Sequence, residues 1–456
     1  MGNVIEKYID SHINEMVSDL QTLIRIPSVS AKNQNLIECA EMIYKLMTNA
    51  GINSEILYLD EEKNIPPILF GELLSKKNPN GKTLLFYNHY DVQPEDPLNQ
   101  WNFPPFSGQI SGNYIYGRGA SDDKGELITR IKAVESFIKE TGDVPCNVKF
   151  IVEGEEEIGS NHIEEYLVKY KEKFGCDGII WEFGYVNEKN NPIISLGMKG
   201  LLYVELTASG PNKDTHSSLA VIIENPAWKL IKLLNSMVNE NGKILIEDWY
   251  NDIKEFLPEE ESILSAELFD EESFKKEYGI TSFLGNIKDT EIKRALSGYP
   301  TCNIAGMVSG YTEQGAKTII PSHATVKLDF RLVPNMMPKK QFELLKKHVE
   351  KKGNKNIDIK FIHGEPAARI PYDHPFVNLV NECAKEIFGQ TILNISSAGT
   401  GPMYSFQNIL HAPSISLGCT FVYSRIHSPN EYARIDLLAS ITKCLCKIIE
   451  RFAQYG

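Results

Sequence analysis

"NVKFIVEGEEEIGS", residues 147–160, sets an apolar run directly against three consecutive glutamates, Glu155, Glu156 and Glu157. Residues 147–152, rich in Val, Ile and Phe, read as a buried β-strand. Like charges at the end of a buried strand repel one another, and each is costly to desolvate alone. The stretch therefore calls for positive charge from elsewhere. Comparable runs, "PPILFGEL" (66–73), "KTLLFYNHYDV" (82–92) and "DGIIWEFG" (177–184), alternate with helical spacing at 125–140 and 161–173. That order predicts an α/β fold with a mostly parallel sheet covered by helices. In such sheets ligands gather at the carboxyl ends of the strands.

At 456 residues the chain is longer than one core usually serves, so two domains are expected. From about residue 200 the texture becomes α+β: "LLYVELTAS" (201–209) and "HATVKLDFRLV" (323–333) alternate apolar and polar, with helical spacing at 226–240 and 338–352. After residue 374 the chain reads as helix, strand, helix again. The expected organisation is a catalytic domain of residues 1–199 and 371–456, with an α+β lid and dimerisation domain at 200–370 inserted in it. A net charge of −13 disfavours nucleic acid as a partner. No signal-peptide core and no window of roughly 18 apolar residues is present, so no membrane association is expected and the cytoplasm is the expected location. Eight cysteines without CxxC spacing suit reduced, mostly buried thiols.

His89 and Asp91, in "FYNHYDV" (86–92), stand at the end of a strand where i and i+2 share a face. A carboxylate beside a histidine suits a metal ligand with its orienting partner, and suits equally a core histidine bonded to an aspartate. Asp122 and Asp123, in "YGRGASDDKG" (116–125), suit either ligands or a helix N-cap with a solvated neighbour. Together with Glu157 and Glu182, these residues place His89, Asp122, Glu157 and Glu182 at four successive strand ends. Mixed imidazole and carboxylate donors suit zinc, manganese or cobalt, and several carboxylates suit two ions sharing a bridge. The missing charge is then metal, about +4 for a divalent pair.

In order, "HYD", "W…PPF", "YGRGASDDKG", "EGEEEIGS", "GMKG", "DTHSS", "IPSHATVKLDFRLVP" and "RIHSPNE" resemble the di-zinc aminoacylase, carboxypeptidase G and succinyl-diaminopimelate desuccinylase family. The likeness is to its dipeptidase branch, with carnosinase and the cytosolic non-specific dipeptidase, and runs from residue 23 to about residue 436. The resemblance implies that Asp122 bridges two ions, with His89 and Glu182 on one and Glu157 and His427 on the other. It makes Asp91 the partner of His89, Glu156 the general base and Glu155 a spectator. It also implies a cis peptide between Asp122 and Asp123.

The same resemblance implies a homodimer in which His216, in "DTHSS", steadies the oxyanion at the partner's site, although by itself His216 reads as a polar turn residue. Arg331 would clamp a substrate carboxylate, a task suited to a guanidinium fork, or else form an ordinary strand-face ion pair. Thr318, Thr400 and the Gly399–Gly401 loop would line the substrate terminus, although glycine-rich turns also serve tight geometry alone. Dipeptidases usually carry an aspartate where this chain has Glu182 and charged residues where it has "SSA" (396–398). His323 stands where an acidic or basic residue is expected. The implied activity is metal-dependent hydrolysis of dipeptides or short peptides with a free C-terminal carboxylate. Deacylation or desuccinylation of N-acyl amino acids is the alternative. The base together with all five ligands speaks against a silent scaffold, and no P-loop or basic patch supports a phosphate-binding module.

Overall fold

The computed structural model describes residues 2–59, 65–266, 269–352 and 356–455. The chain separates into two compact units. One comprises Met1–Gly197, Ile370–Asn394 and Gly401–Gly456, and the other Met198–Arg369 with Ile395–Thr400.

In the first unit, eight strands form one sheet in the order Asn53–Leu57, Ile68–Leu73, Asn147–Glu153, Thr83–His89, Gly178–Trp181, Ser414–Ser416, Ile193–Ser195 and Ile392–Asn394. The central pairings, from Asn147–Glu153 through Ser414–Ser416, are parallel, and the sheet is mostly parallel as its sequence predicts. Asn147–Glu153 is buried at every position, because a parallel sheet covered on both faces needs unbroken apolar strands rather than alternating ones. Lys124–Thr141 lies among the covering helices, and its terminus is closed by Gly142 at φ 71°. Its Lys124 ammonium is buried and donates to the Leu23 and Ile26 carbonyls at 2.9 and 2.7 Å. Among the described residues no helix is long and apolar enough to cross a membrane. All eight cysteines are free thiols.

The second unit is an antiparallel sheet in the order Thr301–Ser309, His323–Leu332, Gly200–Ser209 and Ile357–Glu365. Burial alternates along Gly200–Ser209 and His323–Leu332, so one face is covered. Leu202, Val204, Leu206, Val326, Leu328 and Phe330 form that covered face, with Leu230, Leu233 and Leu345 from helices Pro226–Asn235 and Pro338–Lys351 in the same core. Asn225 caps the first of these helices by accepting from Ala227 N at 2.9 Å, with Pro226 in its opening turn.

Lys199 is 3% exposed. Its ammonium donates to the Ala295 and Tyr299 carbonyls, at 3.0 and 2.6 Å, at the C-terminal end of helix Thr290–Gly298, where the helix dipole favours a cation. Burial, with the Arg331 charge adding to it, pulls its pKa down to about 8. The unfolded chain, with an ordinary lysine, then holds more protons than the folded one between pH 8 and about 10.5, so this group's contribution to stability rises with pH through that window. Below it the penalty is fully present. The unfolding free energy of the wild type relative to Lys199→Met should therefore grow by roughly 3 kcal/mol from pH 7 to pH 10.5. Denaturant titrations across that range read the difference, and a flat difference would mean that Lys199 is not desolvated.

Candidate metal centre and active site

Parallel pairing sets the level of the site. His89 closes the strand Thr83–His89 and pairs with Glu153 at the end of its neighbour, while Glu182 follows the end of Gly178–Trp181. After Glu153 the chain passes Gly154, where a Cβ would collide with the Tyr90 ring, and enters the short 3-10 turn Glu156–Ile158. Asp122 corrects the expectation of four strand ends. It lies in the loop between Tyr114–Tyr116, a strand of a separate three-stranded sheet, and helix Lys124–Thr141. Asp123 occupies the helix N-cap position without capping it. Its carboxylate instead accepts from Asn88 Nδ2 at 2.7 Å and from His89 N at 3.1 Å. The peptide between Asp122 and Asp123 is cis.

These elements bring Asp122, Glu157 and His427 together, with one ligand atom from each lying within 4.8 Å of the others. His427 Nε2 is 3.0 Å from Asp122 Oδ2 and 3.2 Å from Glu157 Oε2. On the other side, His89 Nε2 is 3.0 Å from Asp122 Oδ1. The Asp91 carbonyl lies 3.0 Å from His89 Nδ1 with its carboxylate at 3.4 Å, and that carboxylate accepts from the Glu156 and Glu157 amides at 3.2 and 3.0 Å, so one residue orients both the imidazole and the acidic turn. The three glutamates diverge. Glu155 pairs with His162 Nδ1 at 2.8 Å, whereas Glu157 accepts from Gln93 N and Nε2 at 3.1 and 2.8 Å.

Against its burial, the bonds to His427 and His89 hold the Asp122 carboxyl well below its usual range, while the four other shifts run the opposite way. Burial pushes the Glu156 and Glu182 carboxyls well above their usual range, with neighbouring carboxylates adding to the effect and His89 opposing it. Burial by itself would lower the His89 pKa, but its bonds to Asp122 and Asp91 raise it well above normal. Bonds to Asp122 and Glu157 push His427 up to about 11. Each of these four shifts favours gaining positive charge, so the cluster around ionised Asp122 holds more negative charge than its surroundings neutralise. Glu182 is 2% exposed, and its Oε2 has no hydrogen-bond partner among the described residues. A mixed imidazole and carboxylate set with an orphaned buried oxygen and an oriented histidine fits divalent ions of the zinc, manganese and cobalt type.

The second unit carries the remaining sequence candidates except Gly401. Arg331 Nη1 donates to Thr400 Oγ1 at 2.6 Å, and Thr400 Oγ1 donates to the Gly200 carbonyl at 3.3 Å. The nearest strand-face acid, Asp329, is 4.0 Å from Arg331 Nε. Gly399 N is occupied by Ser397 Oγ at 3.2 Å, and a Cβ on Gly399 would meet only ordinary contacts, so sterics do not demand a glycine there. Gly401 begins the last segment of the first unit. His216 is exposed and Ser218 N donates to its Nδ1 at 3.1 Å, while Ser217 N donates to the Thr318 carbonyl at 3.1 Å. The structure thus brings His216 and Thr318 together. His323 is exposed beside Ser322 Oγ, at 3.1 Å. Sequence reasoning missed Gln93, Asn88 and Asp123 as partners of the acidic cluster. Gln93 stands two residues past Asp91, and that proximity was the signal available.

The profile of peptidase family M20/M25/M40 matches residues 85–451. The chain is similar to the Cys-Gly metallodipeptidase dug1 of Schizosaccharomyces pombe, 30% identical over an alignment of 468 positions that covers 98% of this chain and 97% of that one. It is also similar to the human Beta-Ala-His dipeptidase, 29% identical over 448 residues, 93% of this chain and 87% of that one. Among solved structures it resembles the M20 family metallo-carboxypeptidase Sso-CP2 from Sulfolobus solfataricus, with a TM-score of 0.89, 37% identity and coverage of 96% and 99%.

Proposed function

The chain belongs to peptidase family M20/M25/M40, and on that premise we propose that it is a metal-dependent dipeptidase. Its substrates are dipeptides or short peptides with a free C-terminal carboxylate, and it acts as a cytoplasmic homodimer. The observation that carries this reading is the convergence of Asp122, Glu157 and His427, with His89 on the far side of Asp122 and Glu156 next to Glu157 in the chain. The names of the related proteins, metallodipeptidases for Cys-Gly and for Beta-Ala-His, favour a dipeptide over an N-acyl amino acid. Eight free thiols suit a reducing compartment.

His89 and Glu182 would hold one divalent ion, Glu157 and His427 the other, with Asp122 shared between them. Zinc, manganese or cobalt suits these donors. Once bound, such a pair polarises the scissile carbonyl and makes an attacking water acidic. Glu156, which must not itself be a ligand, takes the proton of that water and passes it to the leaving nitrogen. Asp91 keeps the His89 imidazole in its ligating orientation. Arg331, backed by Thr400, clamps the substrate's C-terminal carboxylate through its planar fork, and Thr318 with the 399–401 loop lines that end. His216 steadies the oxyanion at the site of the partner subunit.

Stripping divalent metal with a chelator should abolish hydrolysis of a dipeptide panel, and adding zinc, manganese or cobalt should restore it. Turnover by protein shown metal-free by elemental analysis would end the mechanism. Faster cleavage of N-acetyl or N-succinyl amino acids than of any dipeptide would transfer the assignment to deacylation.

Glu156→Gln should keep its metal and lose about 10²–10⁴ in kcat. Glu157→Gln should lose metal, and Glu155→Gln, altering only the contact with His162, should change little. An indispensable Glu155 would shift the register of these roles by one or two residues.

His216→Ala should lose about 10²–10³ in kcat with metal content unchanged, as removal of an oxyanion donor does. A mixture of His216→Ala and Glu156→Gln, each inactive alone, should regain activity through mixed dimers, because a two-fold interface gives each site one residue from its partner. Continued inactivity after proven subunit exchange, or a fully active monomer, would exclude action across the interface.

A further inference from the structure

We propose that Glu431 is a positioning residue of the metal centre, fixing the loop that carries Asp122 to the turn that carries His427. The proposal rests on the reading of Asp122, Glu157 and His427 as metal ligands. Glu431 is fully buried, and its carboxylate accepts four hydrogen bonds. Oε2 takes Arg118 Nη1 at 2.8 Å and Gly119 N at 3.0 Å, and Oε1 takes Ser121 N at 3.0 Å and Asp122 N at 3.1 Å. A carboxylate offers about four acceptor positions. All are used, so none remains for an ion, and Glu431 acts only through what it holds.

The backbone repeats the connection. Gly117 N donates to the Glu431 carbonyl at 2.9 Å, and Ser121 Oγ donates to the Tyr432 carbonyl at 2.8 Å. On the other side of Glu431, Arg425, His427 and Asn430 all have left-handed backbones, with φ of 61°, 57° and 66°. Such a turn persists only when its surroundings enforce it. Asn430 is tied to Asn102 N at 2.6 Å and to the Gln100 carbonyl at 2.9 Å, and Tyr432 N bonds the Ser424 carbonyl at 3.0 Å. The base of the His427 turn is therefore fixed, and Asp122 is suspended from it through Glu431. Pairing with Arg118 would need only one oxygen. The other is spent on backbone amides, one of them belonging to Asp122 itself.

The test is zinc titration of metal-stripped protein by calorimetry, together with thermal melts of the metal-free forms. Glu431→Gln should weaken zinc binding about 10–100-fold, as loss of a ligand's supporting group does, and should also lower the melting temperature by leaving Arg118 buried without its partner. In Arg118→Met/Glu431→Gln the unpaired charge is gone, so the melting temperature should recover while zinc binding stays weak. Glu431→Asp keeps the charge but withdraws the carboxylate by one methylene, and covers the case of a Gln variant that does not fold. It too should bind zinc more weakly than the wild type. Wild-type zinc affinity in any folded variant of the three would reduce Glu431 to the counter-ion of Arg118 and overturn the proposal. If Glu157→Gln also bound zinc normally, the metal-centre reading itself would fall; if Glu157→Gln alone were weakened, only the role of Glu431 would.

Discussion

A single carboxylate with an imidazole on each side, Asp122 with His89 Nε2 and His427 Nε2 both at 3.0 Å, is the contact on which the rest of the first unit turns. One histidine comes from the end of a central strand and the other from a turn more than 300 residues later. Both can reach Asp122 only if the sheet, helix Lys124–Thr141 and the C-terminal segment are all in place. The buried ion pair of Arg130 and Glu126, at 2.8 Å with both side chains fully enclosed, serves that end. Arg130 also donates to the Trp181 and Leu417 carbonyls at 2.9 and 3.2 Å, and Glu126 receives the Cys419 amide at 2.6 Å. A buried pair that joins three separate segments in this way fixes geometry more than it adds stability.

Three adjacent glutamates end with three different sets of partners because the chain leaves the strand through Gly154 into a 3-10 turn, in which neighbouring side chains diverge. Glu155 goes to His162 and Glu157 to Gln93 and His427, while Glu156 is held by its amide to Asp91. A continuing strand would have set Glu155 and Glu157 on a common face.

The mostly parallel sheet was legible because its central strands carry apolar runs such as "LLFY", "FIV" and "IIW", and the second sheet because its strands alternate. His89, the glutamates and Glu182 were legible as polar residues following such runs. Asp122 was placed on a strand end of the main sheet because "YIY" gives no sign that it belongs to another sheet. His427 has no local signal at all and entered only through family resemblance. The partners Asp123 and Glu431 were not legible either, since their contacts join residues from about 35 to more than 300 positions apart, beyond the reach of any periodicity.

The order of strands in the first unit has a consequence in time. Ser414–Ser416 lies between Gly178–Trp181 and Ile193–Ser195, so the sheet has a vacant lane until nearly the whole chain has been synthesised. Met198–Arg369 is continuous and can close its own core while that lane is still open. A ribosome-bound chain therefore carries a second unit that lacks only Ile395–Thr400, while the first still has an unpaired strand edge, a template for pairing with other nascent chains. Residues 414–434 both fill the lane and deliver His427, so completing the sheet and completing the cluster are one event of synthesis.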